Sequence, residues 1–137
     1  MSRRAQKGHA MLELALSAGV LTACLGGTFQ FGYTFYIYNQ LVSAVGDAAS
    51  YASRLSMSGD MEADKAAIRN MVVYGESKPA PDMPPVVPHL NPQQVEVEFI
   101  EDAVRVAIRG YKVDALVTTI DFDGRPAVEF PYIGPTR

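Results

Sequence analysis

From Leu14 to Gly46 no side chain carries a charge, and most are apolar, small or aromatic. About twenty apolar residues in helical form span a bilayer. The stretch therefore predicts one helix that crosses a membrane and continues beyond it. From Leu41 the pattern becomes one-sided. Leu41, Val45, Ala48, Ala52 and Leu55 share one helical face, and Ser43, Asp47, Ser50 and Arg54 share the other. This first helix is expected to run to about Met57, where Ser58-Gly59 breaks it. Asp60 is placed to cap a second helix, with Glu62 and Asp64 complementing its N-terminal dipole. Met61, Ala67, Ile68, Met71 and Val72 would form its buried stripe, and Gly75 suits its C-terminal cap.

Lys78 to Pro92 holds Pro79, Pro81, Pro84, Pro85, Pro88 and Pro92. That density excludes regular helix or a central strand and predicts an extended connector. Alternation then takes over. Val95, Val97 and Phe99 face one way, and Glu96 and Glu98 the other. Val104, Val106 and Ile108 alternate with Arg105 and Arg109. A turn at Glu101-Asp102 would set Phe99 opposite Val104, Val97 opposite Val106 and Glu98 opposite Arg105. Val117 to Phe122 and Ala127 to Phe130, joined through Asp123-Gly124, read as a second hairpin. Pro126 and Pro131 push its last strand to a sheet edge. The fold class is α+β: a long N-terminal membrane-type helix, a short second helix, a Pro-rich connector over 78–92 and a small antiparallel sheet.

Charge refines this picture. The 137 residues carry 12 Lys and Arg against 15 Asp and Glu, a net charge of −3. Arg3, Arg4 and Lys7 precede the apolar stretch, and no basic cluster follows it. The positive-inside rule then keeps the N-terminus cytoplasmic and sends the C-terminal part outside. Loss of a leader ending at Gly8 would leave nine basic against fifteen acidic residues, a net charge of −6. Such an acidic exported domain is a poor partner for nucleic acid.

No catalytic or metal constellation stands out. Glu96 and Glu98 are explained by strand alternation, and Glu101 and Asp102 by a turn. The two histidines, His9 and His89, lie far apart in sequence. No zinc spacing, calcium loop or phosphate-binding glycine loop is present. The expectation is a protein that is not an enzyme and needs no cofactor.

The chemistry sits at the N-terminus. A basic leader, Arg3-Arg4-Ala5-Gln6-Lys7, ends in Gly8, and the apolar run opening at His9 carries a single carboxylate, Glu13. A charge in a membrane-length segment is costly, which makes it a functional candidate. This arrangement resembles the start of a type IV prepilin. Ala10-Met11-Leu12-Glu13-Leu14-Ala15-Leu16, the aromatic-glycine stretch from Phe31-Gly32 to Tyr38 and the Ala-rich stretch Gln40 to Ala52 are similar to TadE/TadG-like pseudopilins. These are minor components of tight-adherence, Flp-type pili.

The resemblance implies cleavage between Gly8 and His9 by a prepilin peptidase. It implies a role for Glu13 in assembly, through pairing with the new amine of a neighbouring subunit. It also implies partnership with other pilin subunits and the assembly platform, first in the bacterial inner membrane and then in a surface filament that supports adhesion. The expected organisation is a leader over 1–8, a helix over 9–57 and an exported α+β domain over 58–137. Gly19, Gly26, Gly27 and Gly32 are candidates for close helix packing. The aromatics from Phe29 to Tyr38 suit the outer membrane interface or a filament core. Two alternatives remain. Leu21-Thr22-Ala23-Cys24 matches a lipobox, which would tether a lipoprotein through Cys24, and a plain single-pass anchor with a protein-binding outer domain has the same hydropathy.

Overall fold

The computed structural model describes residues 3–56, 58–115 and 118–134, with side chains from Gly8 onward. A single helix, α1 (Arg3–Arg54), dominates. It ends three residues before the expected limit, and Met57 lies outside the described residues. A second helix, α2 (Met61–Tyr74), lies beside its C-terminal part. Five strands follow: β1 (Val95–Ile100), β2 (Ala103–Ile108), β3 (Tyr111–Asp114), β4 (Thr119–Phe122) and β5 (Ala127–Pro131).

The ends of α2 form as their residues dictate. Asp60 adopts an extended conformation, and its Oδ1 accepts from the backbone N–H groups of Glu62 and Ala63 at 3.1 and 3.2 Å. Those donors have no partner within the helix. Asp64 adds a second brace: its side chain turns back to accept from Ser58 N at 3.0 Å. Gly75 closes the helix in the left-handed region, with φ 75°, and donates to the Met71 carbonyl. Of the expected stripe, Ile68 and Val72 are buried, while Met61 is 53 % exposed. Val73 and Asp64 take buried places instead, so the buried face is rotated from the expected one.

Strands β1 and β2 pair antiparallel in the expected register, with Phe99 opposite Val104, Val97 opposite Val106 and Glu98 opposite Arg105. The expected second hairpin does not form. Strand β5 pairs antiparallel with β2, giving the order β1-β2-β5, and β4 pairs with β3 in a separate two-stranded sheet. The Asp123-Gly124 turn is present, with Gly124 at φ 72°, but it redirects the chain between sheets rather than joining neighbours. The expectation that β5 lies at an edge holds.

Strands β2 and β5 pack on α1, and β1 packs on α2. The core gathers Leu41, Val45, Ala48 and Ala52 of α1, Ile68 and Val72 of α2, and Val97, Val104 and Val106 of the sheet. The Pro-rich connector contributes more than a surface path. Its Val87 and Leu90 are fully buried, and Val86 N donates to Val73 O at 2.7 Å. Apolar side chains between prolines have no period to reveal which way they point, so this role has no signature in the sequence.

Helix α1 lacks a glycine cap. Its exposed final carbonyls are instead met by the segment after β5. Ile133 N and Gly134 N both donate to Ser53 O, at 3.0 and 3.2 Å, and the Tyr132 hydroxyl donates to Leu55 O at 2.9 Å. Residues 132–134 thereby clamp the end of the long helix, meeting carbonyls that lack helical partners.

Candidate functional site

Helix α1 divides into two halves with different surroundings. From Gly8 to Phe29 every described residue is exposed or, at Gly26 and Gly27, half-buried. From Gln30 onward one face is covered by the domain, beginning with Gln30, Thr34, Ile37 and Leu41. The boundary is set by hydrogen bonding as well as packing: Gln30 Nε2 donates to the Thr118 carbonyl at 2.9 Å. Two turns further up, the Tyr38 ring packs on Phe122 with centroids 5.4 Å apart. The small β3–β4 sheet thus reaches down the helix and fixes where the free half begins.

The free half has the length of a membrane span. Twenty-two residues, 8–29, rise about 33 Å at 1.5 Å each, against a hydrocarbon core of about 30 Å. The helix from Gly8 to Arg54 is long and apolar enough to cross a membrane, with a mean hydropathy of 1.6 in its apolar window, none of which is buried against the protein. Within it, Thr22 and Thr28 turn their hydroxyls back to the Ala18 and Cys24 carbonyls at 2.8 and 2.9 Å. That arrangement satisfies polar side chains inside an apolar helix without a partner.

The expected site residues fall along this half as follows. Gly8 and His9 lie within the unbroken α1, and both are exposed. The side chains of Arg3, Arg4 and Lys7 lie outside the described residues. Glu13 is exposed one turn above His9. A Cβ added to Gly19, Gly26, Gly27 or Gly32 would meet nothing within 4 Å. At about 100° per residue, Gly19 and Gly26 share a face, whereas Gly32 points to another side. The structure therefore brings none of these residues together within one copy, and the four glycines do not make one stripe.

The aromatic stretch splits in two. Phe29, Phe31, Phe35 and Tyr36 are 57–65 % exposed, and Phe29 stacks on Tyr33 with centroids 6.2 Å apart. Ile37 is buried in the core, and the half-buried Tyr38 meets the domain through Phe122. The residues assigned wholly to the membrane interface or filament core thus include some that hold the domain to its helix. The domain contacts made by Gln30 were not foreseen. A lone amide at the edge of an apolar run is the signal that marks the place where lipid-type surroundings end.

Elsewhere the polar residues are accounted for. On the outer face of the sheet Arg105 meets Glu98 at 3.8 Å, and Arg109 pairs with Glu96. The Glu96 hydrogen bond and charge raise the Arg109 pKa above its ordinary value, so its charge is fixed. Both pairs are exposed, where water and salt screen the attraction. The Tyr111 hydroxyl donates to Pro88 O at 2.7 Å, and burial, with a smaller effect of Tyr33, raises its pKa. Among the described residues no group of three His, Cys, Asp or Glu side chains could hold a metal ion.

A long apolar helix, bare over a span's length and crowned by a small α+β domain, defines a protein anchored through its N-terminal helix. Comparison with protein families makes the class specific: the family described as TadE-like protein matches residues 8–50. The similarity is confined to this N-terminal segment, and residues 51–137 lie outside the match. No curated protein and no solved structure matches the chain.

Proposed function

We propose that the chain is a minor pseudopilin, a structural rather than catalytic subunit. In this reading it is inserted in the inner membrane with its N-terminus cytoplasmic, cut after Gly8 by a prepilin peptidase and assembled into a tight-adherence-type filament that supports adhesion. The observation that carries this reading is the free half of α1: a span-length apolar helix with one carboxylate, Glu13, starting directly after Gly8. Among the described residues none between Gly8 and Phe29 is buried by the chain's own domain, and a partner outside the chain accounts for that composition. The match over residues 8–50 begins at the same glycine.

The mechanism follows from electrostatics. Cleavage after Gly8 creates an amine on His9. Within an apolar bundle a carboxylate without a partner is costly, and attraction to an opposite charge is stronger there than in water. Pairing Glu13 with the amine of a neighbouring subunit satisfies both groups only once the subunits are assembled. The apolar and aromatic run that follows Cys24, from Phe29 to Tyr38, disfavours a lipoprotein, whose mature chain would open on a polar tether.

The test is the N-terminal sequence and intact mass of the protein from its native membrane. A chain beginning at His9 supports the reading. A chain beginning at lipidated Cys24, or one retaining Met1 where a prepilin peptidase is active, overturns it. Glu13→Ala is expected to leave cleavage and the fold of the outer domain unchanged and to abolish incorporation into filaments.

A further inference from the structure

Where the two halves of α1 meet, the helix and the lower end of β3 leave an open pocket of about 320 Å3, lined by Phe29, Tyr33, Asp114 and Ala115. Phe29 and Tyr33 lie one turn apart, and their rings stack with 4° between planes. Phe29 is 57 % exposed and Tyr33 36 %, so neither ring is consumed by the core. Asp114 is exposed at the last position of β3. Its Oδ1 accepts from Thr119 Oγ1 at 2.7 Å across the β3–β4 pair, which holds the carboxylate in place. Among the described residues Asp114 forms no ion pair. Lys112, two residues earlier, is engaged with Asp121 at 3.7 Å.

Height decides what this pocket meets. From Gly8 to Phe29 the helix rises about 32 Å, and Tyr33 stands about 6 Å higher. A hydrocarbon core is about 30 Å thick, and the headgroup layers extend it to about 40–45 Å. A helix that enters the hydrocarbon at Gly8 therefore brings Phe29 to its far limit and Tyr33 into the headgroup layer beyond. Asp114 shares the pocket with these rings and stands at their level. Lipid phosphates at that level repel a carboxylate. Two ring faces beside a held carboxylate instead attract a cation, because the faces carry negative potential and the carboxylate accepts charge-assisted hydrogen bonds. The ammonium of an ethanolamine headgroup supplies such a cation at that depth.

We propose that the pocket binds the ammonium group of an ethanolamine phospholipid, in the leaflet on the domain's side, while the chain is in the membrane. The ammonium N–H donates to the Asp114 oxygen that Thr119 leaves free, and its charge lies against the Phe29 and Tyr33 rings. The acyl chains of the lipid run down beside the free half of α1. The contact ties the domain to the bilayer at a second point beside the helix and sets the depth at which the helix sits. This inference rests on the reading that residues 8–29 span the bilayer.

The test uses the full chain purified from membranes in mild detergent. Equal amounts of phosphatidylethanolamine and phosphatidylglycerol are supplied, and bound lipid is read by native mass spectrometry. The expected result is about tenfold greater retention of phosphatidylethanolamine. Asp114→Asn keeps an oxygen for Thr119 and should remove that preference. Phe29→Leu should weaken it about fivefold. Both positions are exposed, so the unfolding midpoint of the domain should stay unchanged. Equal retention of the two lipids overturns the proposal, as does an Asp114→Asn chain that retains phosphatidylethanolamine like the wild type. Free ethanolamine bound as tightly as the phospholipid would show a site for a soluble amine and would also overturn it. Carbonate extraction of the native membranes separates this inference from the reading beneath it. A chain released by carbonate overturns the membrane span, whereas a chain that stays with the membrane and shows no lipid preference overturns only the headgroup site.

Discussion

The two halves of α1 belong to one unbroken helix and obey different rules. Between residues 8 and 29 apolar side chains occur on all sides, and none of these residues is buried. From Leu41 onward Leu41, Val45, Ala48 and Ala52 form a stripe, and that stripe is buried. The difference shows what each half treats as its solvent. The upper half answers to its own domain on one side and to water on the other, so its sequence carries a helical period. The lower half carries apolar residues on every side and no period, the composition of a helix that meets apolar surroundings all round. The helix is continuous because helical hydrogen bonding satisfies the backbone in both settings.

If this division is right, the same substitution should act very differently in the two halves. Leu41→Ala, at a fully buried position, should destabilise the outer domain by about 2–5 kcal/mol in thermal or denaturant unfolding. Leu21→Ala, at an exposed position in the free half, should leave that transition unchanged. Equal losses at the two sites would erase the distinction.

The boundary can be moved with a smaller effect. Tyr38→Ala removes the ring that packs on Phe122. A two-stranded sheet is marginal by itself, so β3 and β4 should exchange their amide hydrogens faster, with a cost of about 1–3 kcal/mol. The β1–β2 pair should keep its protection. Uniform loss across both sheets would show that the lower sheet is not a separate attachment to the helix.

At the top of the domain, Asp60→Ala should cost about 1 kcal/mol through loss of the cap on α2, read from the unfolding midpoint. It should not affect the free half. The smallest effect concerns Tyr111. Burial raises its folded pKa above the ordinary 10.0, so the folded state holds the proton more tightly than the unfolded chain. This contribution is complete below pH 10 and falls as pH rises through the folded value. Tyr111→Phe should flatten that alkaline fall and cost about 1 kcal/mol at neutral pH by leaving Pro88 O without its donor. An unchanged alkaline profile would remove Tyr111 as its source.

What could be seen in the sequence was local. Asp60, Gly75 and the Glu98–Arg105 pairing declare themselves through short-range chemistry, and the structure places each as expected. The stripe Leu41, Val45, Ala48 and Ala52 is legible for the same reason, since a helical period needs only its own segment. Long-range choices were not legible. Asp123-Gly124 is a good turn, yet the competition among β2, β3 and β5 for partners is decided by packing on α1. Tyr111 and Val113 alternate with Lys112 and Asp114, but four residues are too few to announce a strand beside the stronger patterns. At the site, the glycine, the carboxylate and the apolar span were readable because membrane length and charge are one-dimensional properties. The place where the domain grips the helix, at Gln30, was hidden because it depends on a hydrogen bond to residue 118.

The most direct test of the two-halves account is a cysteine scan along α1 from residue 9 to 55. It would use the full chain in native membranes with Cys24→Ala and a water-soluble maleimide. The account predicts protection at every position up to 29. Above Gln30 it predicts a periodic pattern, in which positions 37, 41, 45 and 48 stay protected while the exposed Phe35 and Val42 are labelled. Labelling around the whole helix below 29, or protection without a period above 30, would contradict it.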